Sequence, residues 1–163
     1  MNRTLTYTIK PENAALKIKY FLHRQGYSRQ LLARLKKQPG SILVDGHPRY
    51  MNECLSSGEV LTVHIIEDQV SEKILPVNLP LNIIYEDEDI IVVNKPAGMP
   101  THPSINNYDN SLANALAYYF QSQNESFVFR CTNRLDRDTS GVTVISKHLL
   151  SSGILFNMAV RHE

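Results

Sequence analysis

A nine-residue segment close to the C-terminal end of the chain combines two carboxylates, two arginines and two hydroxyl groups. Its sequence is Asn133-Arg134-Leu135-Asp136-Arg137-Asp138-Thr139-Ser140-Gly141, and we call residues 133–141 the motif loop. A well-placed carboxylate such as that of Asp136 can act as a nucleophile or as a proton acceptor. Nearby positive charge favours the ionised form of a carboxylate, and Arg134 and Arg137 are candidate sources of that charge.

Two other interpretations of the motif loop are possible. Asp, Ser and Thr hydrogen-bond to local backbone and Gly adopts unusual dihedral angles, so a purely structural turn is the simplest interpretation. The run from Asp136 to Thr139 also mimics, without an exact match, the DxDxT nucleophile pattern of metal-dependent phosphotransferases. That pattern should directly follow a buried apolar strand, whereas polar residues precede it here. Loss of activity on removal of magnesium would favour the phosphotransferase hypothesis.

The segments on both sides of the motif loop show the periodicity of strands and helices. Two strands should lead into and out of the loop, and a capped helix and a rigid Pro- and Gly-containing segment should lie upstream. The predicted elements are, in chain order, a β-hairpin (83–85 and 90–93), the rigid segment Lys95-Pro96-Ala97-Gly98, a helix (111–120), two strands (127–131 and 142–145) and a final helix (147–160).

Basic residues are concentrated in the first third of the 163-residue chain. Residues 1–50 contain ten Lys or Arg and two acidic residues, whereas residues 51–163 contain seven and fourteen, so the net charge of the chain is only +1. A basic region on an otherwise acidic protein indicates a polyanionic partner such as a nucleic acid. The alternative is that two small domains differ in charge by chance.

Two short helices are predicted within this basic region. The first spans 14–25 and ends at Gly26, and the second begins at Ser28, a favourable N-cap residue, and ends at Lys37. Strands at 42–44 and 60–66 should follow. The second helix has an apolar face of Leu31, Leu32 and Leu35, and an opposite basic face of Arg29, Lys36 and Lys37 with Arg34 at its border.

Residues 14–66 resemble the alpha-L RNA-binding motif, which a small-subunit ribosomal protein, some tRNA synthetases and many pseudouridine synthases share. The matching residues are Gly26-Tyr27-Ser28-Arg29, Val44-Asp45-Gly46 and Gly58-Glu59-Val60. In that family the second helix presents its basic face to structured RNA, where Lys and Arg neutralise phosphates and the shape of the duplex is read. The resemblance implies RNA binding through Ser28, Arg29, Arg34, Lys36 and Lys37.

The motif loop and the Lys95-Pro96-Ala97-Gly98 segment together resemble the active site of Rlu-type RNA pseudouridine synthases. The resemblance implies conversion of uridine to pseudouridine in ribosomal or transfer RNA, with Asp136 as the catalytic residue and Arg134 beside the flipped base. Because this reaction imports no group and oxidises nothing, we expect no cofactor and no metal. One departure is Asn133, where many family members have His, although Asn also donates and accepts hydrogen bonds.

The two resemblances imply an α+β fold class, in which a small alpha-L RNA-binding domain precedes an incomplete mixed α/β, largely antiparallel-sheet pseudouridine synthase catalytic domain. The expected boundaries are 1–66 for the RNA-binding domain, 67–82 for a linker and 83–163 for the N-terminal part of the catalytic domain. In the family, an aromatic residue that stacks on the base and a basic partner of the catalytic Asp lie well downstream of the motif. We therefore expect this chain to be truncated and inactive alone.

A non-catalytic RNA-binding remnant, in which only the basic module is in use, is the alternative function, and catalysis by a full-length version separates the two. Cys54 and Cys131 have no metal-ligand spacing, and neither a signal peptide nor a membrane-spanning run is present. We expect a cytoplasmic protein whose partner is structured RNA, without membrane or metal, and we favour a monomer.

Overall fold

The computed structural model describes residues 2–68, 71 and 73–161. It divides into two compact units, residues 2–66 and residues 67–159, which we call the N-terminal and C-terminal units. Both units mix helices with an antiparallel sheet, so the mixed α/β composition expected from the sequence is confirmed. The alpha-L identity of the N-terminal unit stays a prediction.

The N-terminal unit packs two helices against a four-stranded sheet in the order β1-β4-β2-β3. Every strand pair is antiparallel. The buried apolar residues include Phe21, Leu31 and Leu61. The elements are β1 (Asn2–Thr8), α1 (Ile18–Arg24), α2 (Arg29–Lys37), β2 (Ile42–Val44), β3 (His47–Pro48) and β4 (Val60–Ile66), with one 3-10 turn at Pro11–Asn13.

Strand β1 is an element that the sequence analysis does not predict. It pairs along its whole length with β4, from Asn2 opposite Ile66 to Thr8 opposite Val60. No residue of β1 is fully buried, and its exposed and half-buried positions alternate. The polar threonines of β1 are therefore compatible with a strand that is stabilised by backbone pairing and by the partial burial of one face.

Helix α1 is shorter than predicted, because residues 14–17 are not helical. Ala15 adopts a left-handed conformation with φ of 65°. The Ala15 and Ile18 amides donate to carbonyls of residues 55 and 53, respectively, at 2.8 and 2.9 Å. These long-range backbone bonds replace the first helical turn that the apolar spacing predicts. Helix α2 forms as predicted. The predicted turn at Asp45 and Gly46 also forms, and both of these residues have the positive φ that a tight hairpin requires.

The C-terminal unit has a three-stranded antiparallel sheet in the order β5-β6-β7. Its core joins this sheet to α3 and to an aromatic cluster, in which the rings of Phe120 and Phe127 stack at 4.2 Å between centroids. The predicted hairpin and both predicted helices are confirmed. The elements are β5 (Ile83–Glu86), β6 (Ile90–Lys95), α3 (Leu112–Ser122), β7 (Gly141–Ser146) and α4 (Leu149–Arg161).

The prediction of a strand at 127–131 is wrong, because this segment makes only an isolated bridge between Cys131 and Ile145. It runs beside β7, and the Thr132 amide donates to the Val144 carbonyl at 2.9 Å. On its other side it bonds to Ser71, whose amide donates to the Phe127 carbonyl at 3.2 Å. The apolar alternation of the segment therefore reflects burial between two neighbours and not a continuous ladder.

The segment predicted as a linker, 67–82, contains no helix or strand where the structure describes it. Several of its residues nevertheless pack within the C-terminal unit. Glu67 is buried, and its carboxylate accepts from the Arg130 guanidinium and from the Leu149 amide, each at 2.6 Å. Ile74 and Leu81 pack against the core. None of the helices in the described part of the chain is long and apolar enough to cross a membrane.

Replacement of Ser28 by Ala should lower the stability of the N-terminal unit by about 1 kcal/mol, the typical effect of removing an N-cap. The Ser28 hydroxyl accepts from the Leu31 amide at 3.1 Å, and Ala offers no acceptor. Ser28→Asp should retain most of the stability, because a carboxylate can also accept the capping hydrogen bond and its negative charge is stabilising at the positive end of the helix dipole. Urea unfolding followed by far-ultraviolet circular dichroism measures both variants, and equal midpoints for wild type and Ser28→Ala would contradict the capping role.

Candidate active site

The two ends of the motif loop are held close together by the side chain of Asn133. Its amide nitrogen donates to the Val142 carbonyl at 3.0 Å, and its amide oxygen accepts from the Val144 amide at 2.9 Å. Asn133 thereby bonds to β7 as a neighbouring strand would. Many family members have His at this position, and the Asn133 side chain here has a defined structural role, which is to bond to the β7 backbone.

Lys95 is a fully buried lysine at the end of β6, with 0% of its surface exposed. Buried positions alternate along this strand, so that Ile91, Val93 and Lys95 share the inward face. An isolated buried ammonium group is costly, and it must be compensated by hydrogen bonds or by charges.

Three backbone carbonyls surround the ammonium group of Lys95. It donates to the carbonyls of Pro96 at 3.0 Å, Met99 at 2.6 Å and Arg137 at 3.1 Å. A lysine ammonium has three donors, so each of them has an acceptor here. Two of these acceptors lie in the segment after β6 and the third lies in the motif loop. Lys95 therefore ties the two segments together.

A second bond between the same two segments comes from Thr101, whose buried hydroxyl donates to the Leu135 carbonyl at 2.7 Å. Inside the loop, the Thr139 amide donates to the Asp136 carbonyl at 3.2 Å and closes a turn. The chain leaves this turn at Gly141 with φ of 147°, a conformation that only glycine adopts readily. The loop around Asp136 is thus fixed at both ends and in the middle.

The Lys95 ammonium is attracted to two acidic residues of the motif loop. Burial lowers the pKa of Lys95, and attraction to Asp138 and then to Asp136 partly offsets that lowering. The side chain of Asp136 is itself exposed. The sequence patterns predict no basic partner of Asp136 within this chain other than the neighbouring arginines. The inward position of Lys95 in the alternation of β6 is the signal that could have identified it.

The arginines of the motif loop differ in their surroundings. Arg137 pairs with Asp138 at 3.8 Å, and because both side chains are exposed this ion pair contributes little. Arg134 is exposed. After burial, its charge is the second cause that lowers the pKa of His102, and it partly offsets the rise that burial causes in the pKa of Cys131. The guanidinium of Arg134 therefore lies within electrostatic range of the base of the loop. Its predicted role beside a flipped base stays a prediction.

His102 packs as an ordinary loop histidine. Its ring meets that of Phe129 edge to face at 4.8 Å between centroids. Burial, followed by the charge of Arg134, lowers its pKa, so the neutral imidazole is favoured. Among the described residues, no group of three or more His, Cys, Asp or Glu is arranged to hold a metal ion.

A cleft of about 320 Å³ opens beside the Lys95 anchor. Its walls combine apolar rings with two side-chain amides and one hydroxyl of the motif loop. The lining residues are Pro80, Leu81, Asn82, Asn94, Lys95, Pro96 and Ser140.

The predicted RNA-binding residues lie in the N-terminal unit, on and next to α2. Arg29, Lys36 and Lys37 are exposed, Arg34 is half-buried, and the side chain of Ser28 is occupied as the helix cap. The buried Leu31 and Leu35 lie on the other face of the helix. The two faces of α2 thus carry the residue types that the sequence predicts.

Comparison with known families favours one interpretation of the region that contains the motif loop. Residues 89–163 match the model of the RNA pseudouridylate synthase family. These residues belong to the RNA pseudouridylate synthase family. The matched region contains β6 with Lys95, the Thr101 contact and the whole motif loop. The phosphotransferase hypothesis is further weakened because no buried strand directly precedes Asp136.

Curated relatives carry the same family name. An uncharacterized RNA pseudouridine synthase of Bacillus subtilis is 33% identical over 85% of this chain and 49% of its own length. The ribosomal large subunit pseudouridine synthases D of Buchnera aphidicola and Xanthomonas campestris are 34% and 37% identical, over 77% and 76% of this chain and 40% and 37% of their own lengths. The chain thus spans less than half of each of these relatives.

Among solved structures, human RNA pseudouridylate synthase domain containing 4 matches 49% of this chain and 30% of its own. The identity is 21% and the TM-score is 0.40, too weak a likeness to define the fold.

Replacement of Lys95 by Met should destabilise the C-terminal unit by roughly 2–4 kcal/mol, because the buried ammonium group and its three hydrogen bonds to backbone carbonyls are lost. The same change should increase proteolysis within the motif loop, since the bond to Arg137 is one of its anchors. Lys73→Met is the matched control, because Lys73 is an exposed lysine of the same unit. Urea unfolding and limited proteolysis give the two measurements, and equal behaviour of both variants would show that Lys95 does not anchor the loop.

Cys131 should resist alkylation at pH 8. Burial raises the pKa of its thiol to about 11, so that little thiolate is present. Cys54 is exposed and serves as the internal reference. With iodoacetamide and mass spectrometry, Cys131 should react much more slowly than Cys54 at pH 8, with a rate that rises roughly tenfold per pH unit towards the pKa. Both thiols should react at similar rates in urea, whereas equal native rates at pH 8 would contradict the burial of Cys131.

Proposed function

We propose that this chain supplies the catalytic carboxylate and an RNA-docking module of an RNA pseudouridine synthase. The observation that carries the proposal is an exposed Asp136 on a loop anchored by Asn133, Lys95 and Thr101 within the family-matched region. Ribosomal RNA is the favoured substrate class, because two of the relatives are named as ribosomal large subunit enzymes. Transfer RNA is the alternative substrate.

The reaction is an isomerisation within one nucleotide. The N1–C1′ bond breaks, the uracil turns and a C5–C1′ bond forms. C5 then loses its proton and N1 gains one, so the atoms balance. No electron acceptor or transferred group is required. Asp136 assists either by bonding to C1′ or by removing a proton from the sugar, and in both roles it must be ionised and accessible.

The anchored loop explains how one carboxylate can be effective. Much of the advantage of an enzyme comes from holding a reacting group in the correct geometry, and small displacements of that group are costly. Lys95 and Thr101 bond to the backbone on both sides of Asp136, at Arg137 and Leu135. Their role is therefore positioning of the carboxylate.

The target base must leave its stack before the carboxylate can reach the sugar carbon. We assign Arg134 to the space near the flipped base, in line with the resemblance to Rlu-type enzymes. Its exposed guanidinium is planar and can stack on neighbouring bases as well as contact phosphate.

The exposed basic face of α2 suits docking to the RNA backbone. Arg29, Lys36 and Lys37 on this face, with Arg34 at its border, would neutralise phosphates and confer affinity without sequence preference. The contribution of Ser28 is indirect, because its hydroxyl caps the helix that carries these cations. A cytoplasmic location, a monomeric state and inactivity of the 163-residue chain alone stay predictions.

Replacement of Asp136 by Asn in the chromosomal gene should abolish the pseudouridines that depend on this gene, with a rate loss of roughly a thousandfold or more. The measurement is transcriptome-wide pseudouridine mapping in ribosomal and transfer RNA from wild-type, deletion and variant strains. Asp138→Asn is the matched control, since it neutralises an exposed carboxylate of the same loop and should retain the modification.

Two outcomes would contradict this assignment. Pseudouridines that persist in the Asp136→Asn strain but not in the deletion strain would remove Asp136 from the chemistry. Identical maps in the wild-type and deletion strains, with RNA affinity retained by the purified chain, would favour the non-catalytic RNA-binding alternative.

A further inference from the structure

A groove of about 450 Å³ lies in the N-terminal unit, between the C-terminal end of α2 and the segment that follows β3. Its lining includes Lys36 and Lys37 from the end of α2, and Arg49 and Tyr50 from the segment after β3. Apolar side chains that include Pro39 form part of the remaining surface. The groove thus combines cations, an aromatic ring and an apolar surface.

The positive charge in the groove that no carboxylate offsets locally comes mainly from Lys36 and Lys37. Lys36 and Lys37 are exposed in the last turn of α2. Arg49 is held by two carboxylates, with its guanidinium 2.8 Å from Glu53 and 3.3 Å from Glu59, so its charge is offset locally. Lys36 and Lys37 are therefore the lining residues on which a phosphate would bind.

Tyr50 is the most exposed large apolar or aromatic side chain among those of the described residues, at 82% exposure. Its backbone is nevertheless fixed, because the Tyr50 amide donates to the Glu53 carboxylate at 2.6 Å and the Glu53 amide donates to the Tyr50 carbonyl at 3.0 Å. A solvent-exposed aromatic ring on a fixed backbone loses little entropy when it binds a planar partner. This arrangement favours a stacking role over a packing role.

We propose that this groove binds an unpaired stretch of RNA, with a base stacked on Tyr50 and the adjoining phosphates on Lys36 and Lys37. The proposal rests on the proposed function, which makes RNA the substrate. Single-stranded RNA is favoured over duplex because only an unstacked base exposes a face to an aromatic ring. The groove would therefore recognise a loop or bulge and supply a type of contact that the basic helix face alone does not.

The test measures binding of the 163-residue chain to two fluorescein-labelled RNAs of equal charge, an unstructured oligouridine and a duplex hairpin, by fluorescence anisotropy. Tyr50→Ala should weaken binding of the oligouridine roughly tenfold or more, as loss of a stacked base does. Tyr50→Phe should bind as wild type does, because the ring is retained. The double variant Lys36→Gln, Lys37→Gln should reduce the salt slope by about 0.7 for each lysine.

Tyr20→Ala is the matched control, because Tyr20 is an exposed tyrosine of the same unit that does not line the groove. It should leave the affinity unchanged. Wild-type affinity in Tyr50→Ala, a preference for the duplex, or equal competition by polyglutamate would each overturn the proposal. Circular dichroism confirms that each variant is folded, which is expected since the substituted side chains are exposed.

Failure of this proposal is distinguishable from failure of the proposed function. Pseudouridines that depend on Asp136, together with no effect of Tyr50→Ala on binding, would overturn the groove alone. Single-strand binding that depends on Tyr50, without pseudouridines that depend on the gene, would overturn the catalytic function and leave the groove in place.

Discussion

The buried ammonium group of Lys95 is the interaction on which the candidate active site depends. A cation without solvent is strongly unfavourable, and here three carbonyls and the electrostatic attraction of two aspartates compensate for the lost water. Because two of these carbonyls precede α3 and one lies in the motif loop, satisfying Lys95 requires both segments to adopt their observed conformation. The position of Asp136 follows from that requirement.

The groups that would meet RNA are exposed, whereas the groups that position them are buried. The exposed groups include Asp136, Arg134 and the two lysines of α2. Lys95 and Thr101 are buried beneath the motif loop, and Leu31 and Leu35 are buried beneath the basic face of α2. This division lets a charged surface retain a defined geometry, because the rigidity comes from contacts that the ligand does not disturb.

Most elements of the fold could be predicted where their signals are local. The Ser28 cap, the Asp45-Gly46 turn and the β5-β6 hairpin all form as their sequences indicate. The errors occur where long-range pairing competes with local propensity. Residues 14–17 bond to 53–55 instead of starting a helix, and β1 exists because β4 offers it a complete partner.

The sequence by itself determined the residues of the motif loop, the charge asymmetry and the two faces of α2, because each is encoded within a few neighbouring positions. Only the tertiary structure decided which backbone carbonyls would accept from Lys95 and that the Asn133 side chain would bond to β7. It also decided that Tyr50 would line the same groove as Lys36 and Lys37. The Lys95 contact with Arg137 joins residues 42 positions apart. No local pattern specifies such a contact, because it exists only once the strands have paired and the ammonium group has been removed from water.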